Sequence, residues 1–408
     1  MTWLDLVCRI CGWRSGSHPQ FEGCQQCGGI LLADVPAGFV RSAQATVGGR
    51  GTANGIAGLV LPDLKLTTGL GEGSTPLLAA HELGRAYGLG GLYIKNEAVN
   101  PTGSYKDRMN AVAVAVAARL GVRQVATSST GNQAVSLAAY AAAAGLRCDA
   151  FMPDAAPRQA AAEVERLGGN AWMTGWDNRQ AVIAELVRRH GYGYVGRNFP
   201  RPLANPYGLE GYKSIAYEVV YQLGGNPPDV VLMPSCGGDG IFGTWRGFDE
   251  LARAGLIGGR PRMVGCGLSA APSVAAAWRA GRDHVSAVAP QPSIALSLVD
   301  AQGGDHALWA IRESGGSAVS IDDPDLVRAM TTLGSLGVLA EPAGAAGLAA
   351  LGSGWPGSVR AGEIAVVVVT GGSGRWPAAL AGLPGGTRAT QPLSAVLDSL
   401  AAADATRL

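Results

Sequence analysis

Short apolar, β-branched runs alternate with longer alanine-rich stretches from about residue 90 onward, and this alternation limits the fold more than any other feature of the chain. Predicted strands fall at 92–95, 124–127, 147–152, 171–174, 230–233, 262–266, 318–321 and 364–369. Predicted helices fall at 107–119, 132–144, 157–167, 178–190, 240–255, 323–336 and 343–352, with Asp323 as an N-cap and Pro324 at the first helical position. Strands separated by helices pair in parallel, because parallel neighbours need a crossover long enough to hold a helix. The chain is therefore expected to be α/β, with two open, mostly parallel sheets. The units between 107 and 195 would build a small domain, 104–210. Residues 36–103 and 211–385 would build a large one. The 61 glycines fit many tight strand-to-helix turns. Residues 36–73 lack periodicity and are expected to be irregular chain over a core. Residues 386–408 are expected to form a surface helix with a frayed end. Ligands of such sheets bind beyond the carboxyl ends of the strands, at helix N-termini.

Composition excludes several classes. With 47% hydrophobic and 15% charged residues, general disorder is ruled out. Lysine plus arginine number 32 against 31 acidic residues, and a net charge of +1 does not suit a nucleic-acid partner. No run reaches the roughly 18 apolar residues that span a bilayer; the longest, Met109 to Ala118, follows Lys106-Asp107-Arg108. The N-terminus lacks the basic start and apolar stretch of a secretion signal. A cytoplasmic protein without a membrane partner is expected.

Cys8, Cys11, Cys24 and Cys27 form two C-x2-C knuckles, which supply four thiolates at about 2.3 Å to a tetrahedral zinc. Gly28 and Gly29 allow the tight turn beside such a metal. Two disulfides or four free thiols are the alternatives, and disulfides fit a cytoplasmic protein poorly. A closed four-sulfur site leaves no position for substrate, so residues 1–35 are expected to be a structural zinc-ribbon-like appendage. His18 is expected in a loop rather than on the metal. Cys236 and Cys266 read as small buried apolar residues rather than nucleophiles.

Four segments can carry chemistry. Lys106, in Asn100-Pro101-Thr102-Gly103-Ser104-Tyr105-Lys106-Asp107-Arg108, starts an alanine-rich helix, where the dipole disfavours its charge and lowers its pKa. A neutral lysine can attack an aldehyde; the alternative is an ordinary surface lysine. Thr127-Ser128-Ser129-Thr130-Gly131-Asn132-Gln133 follows a strand and opens a helix, making either an anion cradle or a simple cap. Cys236-Gly237-Gly238-Asp239-Gly240 again joins strand to helix and lets backbone N–H groups close around a phosphate, although it is neither a Walker loop nor G-x-G-x-x-G. Asp239 is odd there unless its carboxylate points away. Thr370-Gly371-Gly372-Ser373 could present a hydroxyl to a ring nitrogen or be a plain turn.

Together with Gly71-Glu72-Gly73-Ser74-Thr75-Pro76-Leu77, Asn205-Pro206-Tyr207-Gly208-Leu209-Glu210-Gly211 and Glu341-Pro342-Ala343, these segments occur in the order seen in threonine synthases and their relatives. The chain thus resembles the fold-type II pyridoxal-phosphate enzymes of the tryptophan synthase β family, over nearly its whole length. The resemblance implies pyridoxal 5'-phosphate as cofactor, bound by the larger domain, and a mobile smaller domain. Lys106 would bind the cofactor covalently and shuttle protons. Asn132 would meet the cofactor's phenolic oxygen, and the backbone of Cys236, Gly237, Gly238, Asp239 and Gly240 its phosphate. Ser129, Thr130 and Gly131 would hold the substrate carboxylate. Thr370, or else Ser373, would face the pyridine nitrogen, and Glu341 would orient a hydroxyl or cap a turn. A homodimer is implied as well.

The chain also departs from that pattern. Threonine synthases commonly carry Asn-Pro-x-Arg-Leu-Glu-Gly, with the arginine on the substrate phosphate; here that position is Gly208. Arg201 and Lys213 are nearby cations that could substitute. The expected activity is therefore β- or γ-elimination or replacement on a small amino acid other than O-phosphohomoserine. Authentic threonine synthase, a serine, threonine or diaminopropionate ammonia-lyase, and a catalytically silent binding protein are the alternatives.

Overall fold

The computed structural model describes residues 5–16, 23–47, 60–62, 64, 69–175, 182–183, 185–187, 193–194, 205–354 and 359–376. Twelve strands are described: β1 (Leu6–Cys8), β2 (Leu31–Ala33), β3 (Leu77–Ala79), β4 (Gly91–Asn96), β5 (Gln124–Ser128), β6 (Arg147–Pro153), β7 (Asn170–Thr174), β8 (Gly193–Tyr194), β9 (Val230–Pro234), β10 (Arg262–Leu268), β11 (Ser317–Ile321) and β12 (Ile364–Val369). They form a six-stranded sheet in the order β11-β10-β9-β12-β4-β3, a four-stranded sheet β7-β6-β5-β8, and the antiparallel pair β1-β2. The four-stranded sheet is parallel throughout. The six-stranded sheet is parallel except at its edge, where β3 runs antiparallel to β4.

The eight predicted strands are all present, within two residues at either end. Their near-continuous apolar character has a physical cause: β9 and β12 are buried almost end to end beneath helices on both faces. The order of the large sheet places a switch between β9 and β12. From β9 the chain steps outward to β10 and β11, and β12 returns to pair on the opposite side. A crevice at such a point admits a ligand.

Several expectations need correction. Residues 37–46 are not irregular: Ala37–Thr46 is a helix that buries Val40 and Ala43. The helices Gly208–Gly211, Lys213–Gln222, Ser273–Arg279 and Asp305–Glu313 were not foreseen. Lys213–Gln222 is buried from Lys213 to Val220, polar residues included, so it lacks the polar stripe by which a surface helix is recognised. The N-cap of helix Asp323–Ser335 is Asp322, one residue earlier than predicted; Asp323 instead accepts from Ser293 Oγ at 2.6 Å. Of the predicted helix 178–190 only residues 182–183 and 185–187 are described, and they are helical. His18, Arg201 and the tail 386–408 lie outside the described residues.

Helix Lys106–Arg119 leads from the large sheet to the small one and is buried from Asp107 to Ala117. Its alanines and valines permit close approach. A side chain at Gly211 would collide with the Arg108 carbonyl, which requires glycine there. The β1-β2 appendage is fastened to the body by Arg9, which pairs with Glu313 and lies 5.5 Å from the Trp309 ring centroid. Among the described residues no helix is long and apolar enough to cross a membrane.

Candidate active site

The carboxyl ends of β5, β9 and β12 converge on one cavity of about 960 Å³, a volume suited to a cofactor and a small substrate together. Lys106 enters it from the N-terminus of its helix. The backbone fixes this entry: Tyr105 N donates to Thr370 O at 2.9 Å, and Ser104 bridges to Gly371 beyond β12. Lys106 Nζ donates to Tyr212 Oη at 3.2 Å and lies 4.7 Å from the Tyr105 ring centroid. The expected fall in its pKa does not occur. Burial works against the charge, but Tyr105, Tyr212 and Asp239 outweigh it, and the ammonium is held above its ordinary value.

The segment after β5 brings Ser129, Thr130 and Asn132 to the cavity wall. Ser129 Oγ accepts from Gly131 N at 3.0 Å and Ala134 N at 3.2 Å, so it caps the helix while its own proton stays available to a ligand. Gly131 lies between Ser129 and Asn132 and precedes the helix as its N-cap residue. The Asn132 amide donates to both Glu341 carboxylate oxygens at 2.9 Å, and its Oδ1 accepts from Arg375 Nη1 at 3.3 Å. Burial pushes the Glu341 carboxyl up to about 7, against the amide contact that would lower it.

Opposite lies the loop after β9. Cys236, Gly237, Gly238, Asp239 and Gly240 all line the cavity. Gly238 has φ +101°, and a Cβ there would come within 2.6 Å of Ala307 Cβ. Only glycine keeps this turn and leaves the backbone exposed to a ligand. The anomaly of Asp239 is resolved by a residue that sequence reasoning missed: its carboxylate takes His306 Nε2 at 2.9 Å. Thr370 lines the cavity, whereas Ser373 does not. The sequence also did not reveal Tyr212, or the outer wall formed by 287–302, which includes Ser297, Asp300 and Gln302. That wall carries no glycine-rich signature; only the fold brings it over the strand ends.

Of the two candidate phosphate-binding cations, Lys213 does not reach the cavity. Lys213 is fully buried and paired with Glu210 at 2.5 Å and Glu250 at 2.9 Å. Arg201 is not among the described residues. Gly208 packs behind the wall, where a Cβ would come within 2.7 Å of Met109 Cγ. Lys106 is the one lysine or arginine among the described residues lining the cavity, which also receives Asp239, Asp300 and Glu341.

Outside this cavity, the sulfurs of Cys8, Cys11, Cys24 and Cys27 all lie within 4.8 Å of one another. The Cys8–Cys27 and Cys11–Cys24 sulfur distances are 3.4 and 3.7 Å. Both are far beyond the roughly 2.05 Å of a disulfide. They approach the edge of about 3.8 Å that a tetrahedron of zinc–sulfur bonds requires.

Residues 68–371 match the family described as pyridoxal-phosphate dependent enzyme. The chain is 33% identical over 304 residues to the threonine synthase of Methanocaldococcus jannaschii, covering 72% of each protein. It is 29% identical over 357 residues to that of Methanosarcina acetivorans, covering 85% of each. Among solved structures, Escherichia coli diaminopropionate ammonia lyase superposes with a TM-score of 0.68 at 16% identity, covering 85% of this chain and 92% of the other. Maize serine racemase gives 0.66 at 20% identity, covering 91% and 99%.

Proposed function

Because the chain belongs to the family of pyridoxal-phosphate dependent enzymes, we propose that it performs β- or γ-elimination or replacement on a small amino acid whose leaving group is not a phosphate. One observation carries this reading: the described residues lining the cavity offer a single basic side chain, Lys106, alongside Asp239, Asp300 and Glu341. A substrate phosphate placed there would lose water without gaining the bidentate cation it needs.

The described residues fit the cofactor. A buried amine faces an open cavity, and across it stands a glycine turn at a helix N-terminus, where a phosphate gains from free N–H groups. When bound, pyridoxal 5'-phosphate supplies the electron sink for the substrate's α-carbon. Lys106 carries the cofactor and afterwards moves protons on that face. The backbone from Cys236 to Gly240 holds the phosphate. Asn132 would hydrogen-bond the phenolic oxygen, and Ser129, Thr130 and Gly131 would take the substrate carboxylate. The Thr370 hydroxyl, being neutral, does not keep a proton on the ring nitrogen. That favours loss of a leaving group over transamination. Closure of the unit carrying the four-stranded sheet excludes water. The cysteine quartet holds a structural zinc, and the enzyme works as a cytoplasmic homodimer.

Identity to threonine synthases favours a second reading, in which this chain converts O-phosphohomoserine with a rebuilt phosphate site. Steady-state turnover of O-phosphohomoserine, serine, threonine, O-phosphoserine and diaminopropionate separates the two. The phosphate-free substrates should be preferred. Efficient formation of threonine and phosphate from O-phosphohomoserine would overturn the first reading. Ketoacid release without an added nucleophile identifies a lyase. Metal analysis should find about one zinc per chain.

A further inference from the structure

Tyr212 touches Lys106 but is absent from the cavity wall, and nothing in the reading above uses it. Its side chain is fully buried between helices Gly208–Gly211 and Lys213–Gln222. Gly243 lies close against it, since a Cβ there would come within 2.7 Å of Tyr212 Cβ. Its ring centroid is 4.9 Å from that of Tyr105, and the Lys106 amine lies 4.7 Å from one centroid and 5.7 Å from the other. The phenol donates its own proton to Met109 Sδ at 3.7 Å, which leaves its oxygen free to accept from Lys106 Nζ at 3.2 Å. Two aromatic rings and one oriented oxygen therefore form a seat that suits an ammonium better than a neutral amine.

We propose that Tyr212 is a positioning residue for Lys106, seating its amine whenever that amine is not covalently engaged and holding it as the ammonium. This rests on Lys106 being the cofactor-bearing residue. The consequence is a division of labour. The neutral amine condenses with an aldehyde, forming the C–N bond and releasing the carbonyl oxygen as water. Every proton that Lys106 acquires during turnover is then kept beside Tyr212 Oη, ready to be returned. The buried ring, absent from the cavity lining, makes this seat part of the scaffold and not of the substrate pocket.

The test compares wild type with Tyr212→Phe, which keeps the ring and removes the oxygen. Borohydride reduction and peptide mapping first locate the pyridoxyl tag in both. The rate at which cofactor-free protein takes up pyridoxal phosphate is then measured against pH. Loss of the charge-assisted hydrogen bond should move the midpoint of that profile down by about one unit in the Phe variant, with uptake at neutral pH faster and kcat lower at unchanged KM. A tag at Lys106 with no shift in the Phe variant overturns the role of Tyr212 alone. A tag on any other lysine overturns this proposal together with the one it rests on.

Discussion

Lys106 and Arg108 stand two residues apart on one helix, and their surroundings are opposite. Arg108 is fully buried, with its guanidinium donating to Glu97, Glu218, Ser214 and Thr75 at 2.6–3.2 Å. Burial works against that charge, but Glu218 and Glu97 overcome it and hold it above its ordinary value. Lys106, one turn-face away, reaches a cavity and has one phenol for a hydrogen-bond partner at 3.2 Å. A fully satisfied buried cation braces the joint between strands and helices. A lysine with a single phenol partner beside open space can give up its proton and react as the neutral amine. The neighbouring pair thus separates what holds the helix from what the helix presents.

The largest expected effect comes from removing the reactive member. Lys106→Ala should lower turnover by on the order of 10²–10⁴-fold or more and abolish the visible band that shifts on amino-acid addition. Its urea midpoint should move much less than in the bracing variant, because the amine's hydrogen bond is a single one, to Tyr212. If a cofactor band and normal turnover persist, the assignment of Lys106 fails.

The bracing member should show the converse. Glu218→Gln leaves Arg108 and Lys95 short of a counter-charge, at a cost of roughly 3–5 kcal/mol, read from urea unfolding of the cofactor-free protein. Burial pushes the Glu218 carboxyl up, but Arg108 and Lys95 prevail and bring it to about 2, against an ordinary value of 4.5. The unfolded chain therefore binds the proton first. This contribution is complete above about 4.5 and disappears as pH falls toward about 2. The Gln variant should lack that part of the acid limb.

A smaller and opposite effect is expected at Glu341, whose folded value lies near 7 against an ordinary 4.5. Here the native state binds the proton first, so the wild type loses stability as pH rises through that window. Melting temperatures of cofactor-free wild type and Glu341→Gln should diverge in favour of the variant between those values. Parallel curves would show that the carboxyl titrates normally.

How far the residues alone revealed this molecule differs by feature. Eight of the ten described strands of the two sheets announced themselves because parallel strands covered on both faces are continuous apolar runs, as in β12, Ile364–Val369, whereas the short edge strands β3 and β8 did not. The cavity segments after β5, β9 and β12 were legible because each follows such a strand, where glycine and small hydroxyl residues are needed locally. Helix Lys213–Gln222 was not, since its buried polar residues answer to partners distant in sequence: Lys213 to Glu250, and Glu218 to Lys95 and Arg108. The same reason hid His306 behind Asp239, Tyr212 behind Lys106, and the wall from 287 to 302.

Local chemistry could be read directly from the chain, because turn geometry, capping and a strand's apolar face depend on neighbouring residues. Which charges are satisfied, and which stand open to a ligand, depends on contacts across a hundred residues or more, such as Lys106 with Tyr212. Only folding could establish that Lys213 is locked among carboxylates while Lys106 faces the cavity, because burial and pairing arise from packing and have no signature in sequence order.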